Sequence, residues 1–285
     1  MRAIDNFRSE IISLENAKRF LNEQEYENFI KFNTEVREEL LRNLLEKPIN
    51  EFTEVNELYF RWKWSELFNK LYGKNEVCLL EVASGDADMI PQSLSVSNPN
   101  SKYITANMNK ALNESLIRKT KDLNISLELI DDDAGVINEY IKEREVDIIA
   151  FQHGVNDVLQ GILCAKNDVD TVNCDWMECL PKMIELVKRE VANKSFNESL
   201  KEPFLNLLKT LDSVLKPQGI IVISHYMFQL DLDLGYPREI FEDLIPIVRA
   251  WLLDNDEFEE VFYDGFHNQW WIFLKQKMNS DFIRN

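Results

Sequence analysis

The feature that most constrains the fold is an alternation of short apolar runs with amphipathic stretches from residue 77 onward. Five runs have strand length, and helical patterns lie between them: "VCLLEVA", "KYITANM", "ISLELID", "VDIIAFQ" and "GIIVISHYMF". Such runs are typical of a parallel sheet whose two faces are both covered by helices. The sequence therefore predicts an α/β fold with a doubly wound, mostly parallel sheet.

Two further strands are predicted near the end of the chain. The segments "FEEVFYDGF" and "QWWIFLKQK" flank a turn at Gly265 to Asn268, which suits an antiparallel hairpin at the edge of a sheet. Together with the five internal runs they predict a seven-stranded sheet with an antiparallel terminal hairpin.

The first 75 residues follow a different pattern. Apolar residues recur at spacings of three and four up to Pro48, and a second helical pattern ends at Gly73, as expected for amphipathic helices. We therefore predict an N-terminal helical region (1–75), a sheet domain (76–277) with a helical insertion around 164–206, and a short tail (278–285).

The charge of the chain limits its partners. The 50 acidic residues outnumber the 32 lysines and arginines, for a formal net charge of −18. This field disfavours nucleic acids and anionic membranes. Neither a secretory signal nor an apolar stretch of transmembrane length is visible, and the four cysteines lack metal-ligand or C-x-x-C spacing. We expect a cytoplasmic protein with reduced thiols.

A small-residue turn follows the first apolar strand in "LLEVASGDADM". The chain has only 8 glycines, and one of them, Gly85, lies in this turn. A glycine lets a ligand approach the backbone, because it has no Cβ to collide with. The turn has neither the G-x-G-x-x-G pattern of dinucleotide sites nor the Gly-Lys-Ser/Thr of a Walker A loop.

The segment from Glu81 to Asp88 resembles the first motif of class I S-adenosylmethionine-dependent methyltransferases. In that family, an acidic residue and a glycine-rich turn follow the first strand; here alanine replaces two of the glycines, at Ala83 and Ala87. The resemblance implies that S-adenosylmethionine is the cofactor. It assigns Glu81, Ala83, Ser84 and Gly85 to the cofactor site.

The resemblance continues in chain order over roughly residues 76 to 277, and "LDSVLKPQGIIVIS" resembles the fifth-strand region of the family. After the second strand, Asn107 and Met108 stand where the family usually has an acidic residue for the ribose hydroxyls. An amide can still bind a hydroxyl, without the charge assistance of a carboxylate. The remaining cofactor residues implied by position are Asp132, Asp133, Ala134 and Gln152.

Two histidines are candidates for catalysis. His153 and His225 follow the fourth and fifth strands, and either could take a proton from a methyl acceptor near neutral pH. Asp157 lies four residues after His153 and could orient its imidazole. The alternatives are histidines bonded to backbone and a helix cap at Asn156 or Asp157.

The family resemblance also implies that the N-terminal helices form a lid over the substrate cavity. In "YFRWKW", Arg61 could pair with the cofactor's carboxylate, and Tyr59 and Trp62 could wall an acceptor pocket together with His153 and Tyr226. The alternative is that the aromatic side chains belong to the core and that Arg61 is solvated.

These features predict transfer of a methyl group from S-adenosylmethionine to an oxygen or nitrogen of a small molecule. "FQHGVNDV" lacks the Asn/Asp-Pro-Pro-Tyr/Phe tetrapeptide of the family's nucleic-acid amino-methylating enzymes. The alternatives are transfer of another group, such as aminocarboxypropyl, and a non-catalytic binding module. A homodimer is compatible with the sequence, and no residue constellation predicts a metal site.

Overall fold

A computed structural model describes residues 10–47, 49–255, 257–267 and 269–277. The predicted tail (278–285), Pro48 and Asn268 lie outside the described residues. Within the described residues, the central sheet has seven strands: β1 (Cys78–Val82), β2 (Lys102–Ala106), β3 (Ser126–Ile130), β4 (Val146–Gln152), β5 (Leu215–Ser224), β6 (Phe258–Val261) and β7 (Trp271–Gln276). Their order in the sheet is β3-β2-β1-β4-β5-β7-β6.

The pairing of the strands confirms the predicted sheet. β1 to β5 are all parallel, with β1 between β2 and β4. β7 is antiparallel to both β5 and β6, which makes the closing hairpin. The order 3-2-1-4-5 is that of doubly wound dinucleotide-binding folds. In these folds the order in which strands are added to the sheet reverses at a switch point, here between β1 and β4.

Helices cover both faces of this sheet. They are α1 (Leu14–Phe20), α2 (Glu23–Phe29), α3 (Thr34–Glu46), α4 (Glu54–Tyr72), α5 (Met89–Ser97), α6 (Lys110–Thr120), a 3-10 helix (Ala134–Glu139), α7 (Gly154–Lys166), α8 (Trp176–Ala192), α9 (Phe196–Val214), α10 (Gln229–Asp233) and α11 (Arg238–Leu253). A further two-residue parallel pair joins Ile49–Asn50 to Met227–Phe228.

The sheet separates two apolar cores because side chains alternate along each strand. Leu80 on β1 packs with α7 to α9 and α11, whereas the preceding Leu79 packs with the N-terminal helices. Helix α4 contributes Trp64, one of the largest buried side chains of the N-terminal core, and packs against α5. The N-terminal region is helical as predicted, but its helices form a layer on the sheet.

Two local features interrupt the helical layers. The segment "GVINEYIKER" forms only a short 3-10 helix. Between α8 and α9, Lys194 takes a left-handed conformation that separates the two helices. Pro203 therefore lies inside α9, whose buried residues continue on both sides of it.

Cysteine pairing also differs from the prediction of reduced thiols. Cys174 and Cys179 form a disulfide, whereas Cys78 and Cys164 are free. The bond closes a short ring at the start of α8. Within the described residues, no helix has both the length and the apolar character to cross a bilayer.

Candidate functional site

A cavity of about 1160 Å³ lies at the carboxyl ends of the parallel strands. Ligands bind at this edge of doubly wound sheets, at the switch point beside the first strand. Residues from the turns after β1, β2, β3 and β4 line one part of the cavity, and residues from α7, α8 and α9 line the other. The volume is sufficient for a cofactor and an acceptor of drug-like size.

The turn after β1 lines the cavity with the predicted residues Ala83, Ser84 and Gly85. Both Ala83 and Gly85 have positive φ, 55° and 57°. A Cβ added to Gly85 would meet Leu112 at an ordinary 3.7 Å, so within the protein the backbone conformation, rather than space, calls for glycine. For an alanine this left-handed conformation costs about 1–2 kcal/mol, and Ala83 adopts it at that cost.

Asn107 joins this turn to the end of β2. Its Nδ2 donates to the Gly85 carbonyl oxygen at 3.0 Å and to Oδ1 of Asn113 at 2.7 Å. Asn113 in turn donates to the backbone oxygen of Asn107 and to Asp131. The Oδ1 of Asn107 has no hydrogen-bond partner among the described residues and lies at the cavity wall. An aspartate could not donate to the Gly85 carbonyl, which explains the amide at this position.

The turn after β3 supplies two carboxylates. Asp132 accepts hydrogen bonds from the Tyr140 hydroxyl and the Asp133 amide, and these bonds lower its pKa. Asp133 caps the 3-10 helix by accepting from the Gly135 amide at 2.6 Å. Both aspartates, with Ala134, line the cavity.

Gln152 is the last residue of β4 and lines the cavity, and residues of α4 and α5 fix its side chain. Its Oε1 accepts a hydrogen bond from the indole of Trp64 on α4, and its Nε2 faces the sulfur of Met89. The next helix begins very close to β1, since a Cβ on Gly154 would lie 2.4 Å from the Val82 carbonyl oxygen. Close packing here places α7 directly beside the glycine turn.

His153 lies between Gln152 and α7 in a left-handed conformation, with φ of 63°. Its Nδ1 contacts the Tyr226 carbonyl oxygen. A carbonyl only accepts, so Nδ1 carries the proton and Nε2 keeps its lone pair. The ring stacks on Tyr226 and meets Phe228 edge-on at a centroid distance of 4.6 Å. Burial lowers the pKa of His153, so at neutral pH the ring is a neutral base that lines the cavity.

Two carboxylates lie in the same part of the cavity as His153. Burial raises the pKa of Asp157, on α7, to about 7. Burial also raises the pKa of Asp231, on α10; the charge of His153 opposes this effect, and the charge of Asp157 adds to it less strongly. Asp231 is 3% exposed and accepts one hydrogen bond, from the Phe228 amide. The sequence did not predict Asp231, because it lies 74 residues beyond Asp157 in a short helix.

Five predicted site residues do not line the cavity: Glu81, Tyr59, Arg61, Trp62 and His225. The Glu81 carboxyl is buried and accepts from the Tyr103 hydroxyl at 2.6 Å. Both ring nitrogens of His225 are buried without a partner among the described residues, and burial lowers its pKa to about 3.

The residues of "YFRWKW" serve the N-terminal core. Arg61 pairs with Glu25 and Asp88 at 2.6 and 2.8 Å and lies 3.6 Å from Glu57. It thereby ties α2 and α4 to the start of α5. Tyr59 packs edge-on against Trp270 within the buried core. The N-terminal region reaches the cavity through Phe52, outside the helices.

The rest of the cavity wall is mainly apolar and was not identified from the sequence beyond its general location in the insertion. The apolar wall residues from α7, the segment after it, α8 and α9 include Val158, Ile162, Val169, Trp176, Met177, Leu180, Met183 and Leu207. Phe52 and Phe228 close one side with rings stacked at 4.7 Å. These residues have the periodicity of helix faces that pack into a core, so the sequence alone does not distinguish a pocket wall from packing.

Several known proteins have only a distant similarity to this chain. No protein-family profile matches the sequence, and no curated protein matches it. Similar solved structures include a SAM-dependent methyltransferase from Aquifex aeolicus (12% identity, 74% of this chain and 87% of that chain, TM-score 0.40). A second is the CurJ carbon methyltransferase (14% identity, 79% of this chain and 56% of that chain, TM-score 0.45). A third is a provisionally assigned rRNA methylase from Clostridium thermocellum (14% identity, 76% of this chain and 95% of that chain, TM-score 0.43).

The likeness to these structures concerns the fold. The strand order, the parallel pairing of β1 to β5 and the closing antiparallel hairpin define a Rossmann-like sheet of the kind that the resemblance to class I methyltransferases implied. The chain carries its cavity at the ligand-binding edge of that sheet.

Proposed function

We propose that this protein is an S-adenosylmethionine-dependent methyltransferase that acts on a small molecule. The observation that carries the proposal is one cavity at the carboxyl ends of the strands that is lined by the turn with Gly85, by Asn107, whose amide nitrogen is hydrogen-bonded, and by His153, whose pKa burial lowers. It is large enough for two ligands to lie side by side.

The residues of the first part of the cavity fit the cofactor. The Ala83–Gly85 turn would receive its amino-acid part, where small side chains leave the backbone accessible. The Oδ1 of Asn107 can accept from a ribose hydroxyl, and Asp133 and Ala134 would flank the adenine. When bound, the cofactor supplies a methyl group already activated by the positive charge on its sulfur.

The remaining work of the protein is to position the acceptor and to remove a proton. Nε2 of His153 is the group for the second task, because it keeps its lone pair and the residue lines the cavity. The ring cannot turn freely, since its Nδ1 is bonded to Tyr226 and its faces are packed. A fixed base beside an oriented acceptor lowers the barrier through proximity.

A small molecule suits the site better than a nucleic acid. Among the described residues, seven aspartates and one lysine line the cavity; the lysine is Lys166, whose ammonium donates a hydrogen bond to the Ser199 carbonyl oxygen. With the net charge of −18, this lining would repel a phosphate backbone. The apolar wall from α7 to α9 instead offers a pocket for a compact acceptor.

The test is isothermal titration of the protein with S-adenosylhomocysteine. We expect micromolar binding by the wild type and at least tenfold weaker binding by Asn107→Ala and by Ala111→Trp, which would occlude the cavity from an exposed position on α6. The matched control is Asn193→Ala, at the exposed end of α8.

The outcomes separate the alternatives. Absence of binding at millimolar ligand would refute the proposal and favour a non-catalytic module. Binding with transfer of an aminocarboxypropyl group, detected by product mass, would place the chain among enzymes that use the same cofactor differently. With a competent acceptor, His153→Ala should lower kcat strongly while the affinity for S-adenosylhomocysteine changes little.

A further inference from the structure

We propose that the methyl acceptor is an apolar amine that binds as a cation, with its ammonium group between Asp157 and Asp231. This proposal rests on the proposed function, whose site it extends. It names the substrate class from the charges and the wall of the acceptor part of the cavity.

The two carboxylates differ from the other acidic residues of the cavity. Asp170 and Asp175 accept hydrogen bonds from backbone amides at the start of α8, and Asp86 is paired with Lys119 at 2.7 Å. By contrast, Asp157 has no hydrogen-bond or ion-pair partner among the described residues. Asp231, which is almost fully buried, accepts one backbone hydrogen bond at 3.2 Å.

Asp157 and Asp231 also act on each other. Each is desolvated, and the charge of Asp157 is one of the causes that raise the pKa of Asp231. Asp231 is buried and Asp157 is half-buried, and two carboxylates that act on each other with so little solvent are costly unless a positive charge lies near them. Lys166, the one lysine or arginine that the described part of the chain contributes to the lining, donates a hydrogen bond to the Ser199 carbonyl oxygen, and burial lowers the pKa of His153. A bound cation would supply the missing charge.

The surroundings of the pair define the rest of the ligand. Phe52, Phe228 and Leu230 lie on one side, and the helix faces with Ile162 and Leu180 lie on the other. Such a wall favours a hydrocarbon or aromatic body over a sugar or a phosphate. The acceptor is therefore expected to combine one ammonium group with an apolar body.

The arrangement also accounts for the proton in methyl transfer. Nε2 of His153 takes one proton from the bound ammonium, which frees the nitrogen lone pair. That lone pair forms the new N–C bond to the methyl group, and the electron pair of the broken C–S bond stays on sulfur. The products are S-adenosylhomocysteine, the methylated ammonium and protonated His153, whose charge is stabilised by Asp231.

The experiment is calorimetric titration of the protein saturated with S-adenosylhomocysteine. The probes are 2-phenylethylamine, 2-phenylethanol and phenylacetate, and the alkyl series n-octylamine, 1-octanol and octanoate. In each series, we expect the amine to bind at least tenfold more tightly than the alcohol and the carboxylate not to bind measurably. Amine binding at pH 7 should also release up to about half a proton, because the cation lowers the pKa of Asp157 from about 7.

Variants assign the effect to the carboxylates. Asp157→Asn and Asp231→Asn should each weaken amine binding at least tenfold and leave alcohol binding unchanged, and proton release should be lost in the first. Asp243→Asn, which removes the same charge from an exposed position on α11, should change nothing. Two separate aspartate variants keep the test valid if one of them fails to fold.

Several results would overturn the inference: equal affinity for amine and alcohol, tighter binding of a carboxylate, no binding of any probe at millimolar concentration, or insensitivity to both aspartate variants. Failure of the proposed function is distinguishable from failure of this inference, because the proposed function is tested by S-adenosylhomocysteine binding alone. The amine series is also measured on the protein without S-adenosylhomocysteine. Formation of the N-methylated amine from S-adenosylmethionine would support both proposals.

Discussion

The buried carboxyl of Glu81 makes the stability of the fold depend on pH in a way that one substitution should remove. Glu81 lies on β1 and is 1% exposed. Its Oε2 accepts from Tyr103, and its Oε1 is buried without a partner among the described residues. Desolvation raises its pKa from 4.5 to about 8, so the folded protein holds this carboxyl protonated at neutral pH.

The sign follows from the raised pKa. Between pH 4.5 and 8 the folded state keeps the proton that the unfolded state has released, so unfolding becomes easier as the pH rises. Each pH unit costs 1.36 kcal/mol. From pH 5.5 to 8.0 the wild type should therefore lose about 3 kcal/mol of stability through Glu81, with the slope flattening near pH 8.

Glu81→Gln replaces the neutral acid by a neutral amide of the same shape that does not titrate. The amide oxygen can accept from Tyr103, and the amide nitrogen takes the position of Oε1, which lacks a partner in either case. The free energy of unfolding is measured by urea denaturation at half-unit steps from pH 5.5, well above the isoelectric point of 4.7, where solubility is lowest.

Near pH 5.5 the free energies of unfolding of the variant and the wild type should agree to within about 1.5 kcal/mol. Between pH 5.5 and 8.0 the difference between them should change by about 3 kcal/mol in favour of the variant. The control Glu259→Gln, on the exposed side of the edge strand β6, should run parallel to the wild type. Other titrating groups cancel in the difference between the curves. Parallel curves for Glu81→Gln would show that Glu81 has no raised pKa and would refute the reasoning.

Three further predictions concern packing and local chemistry. Asn107→Asp, although it introduces the acidic residue common in class I methyltransferases, should weaken S-adenosylhomocysteine binding in calorimetry, because a carboxylate would face the Gly85 carbonyl oxygen, now 3.0 Å from Nδ2. Gly154→Ala should lower the urea midpoint by the equivalent of about 1–3 kcal/mol, since its Cβ would meet a backbone oxygen at 2.4 Å. In the same helix, Gly161→Ala meets nothing within 4 Å and should stabilise by up to about 1 kcal/mol. Arg61→Met should lower the free energy of unfolding by about 3–5 kcal/mol at pH 8, because it leaves partly buried carboxylates unpaired. The loss should become smaller toward pH 5.5, because Glu57, whose pKa burial raises to about 7, becomes protonated. An equal loss at both pH values would contradict this account.

Much of the candidate site could be predicted because it follows from the position of residues at strand ends. Gly85, Asn107, Asp133 and His153 each come just after an apolar strand. The carboxyl ends of parallel strands meet at one edge, so residues far apart in the chain line one cavity. No long-range contact had to be known for that step.

Other predictions failed where partners distant in sequence decided the outcome. Arg61 was expected at the cofactor, but Glu25 and Asp88, 36 and 27 residues away, hold it in the N-terminal core. His225 was paired with His153 as a strand-end histidine, yet it does not line the cavity. The left-handed turn at His153 and the pleat of β5 set these directions, and neither is visible in a local pattern.

The sequence by itself therefore determined the order of the strands and helices along the chain, the closing hairpin and the edge of the sheet at which the cavity lies, because periodicity and turn residues act over a few positions. The tertiary structure decided which side chains reach the cavity. The apolar wall and Asp231 come from helices separated by up to about 75 residues from Asp157. Their convergence depends on how each helix is rotated as it packs on the sheet, and burial in that packing also sets the pKa values of Glu81, His153 and Asp157.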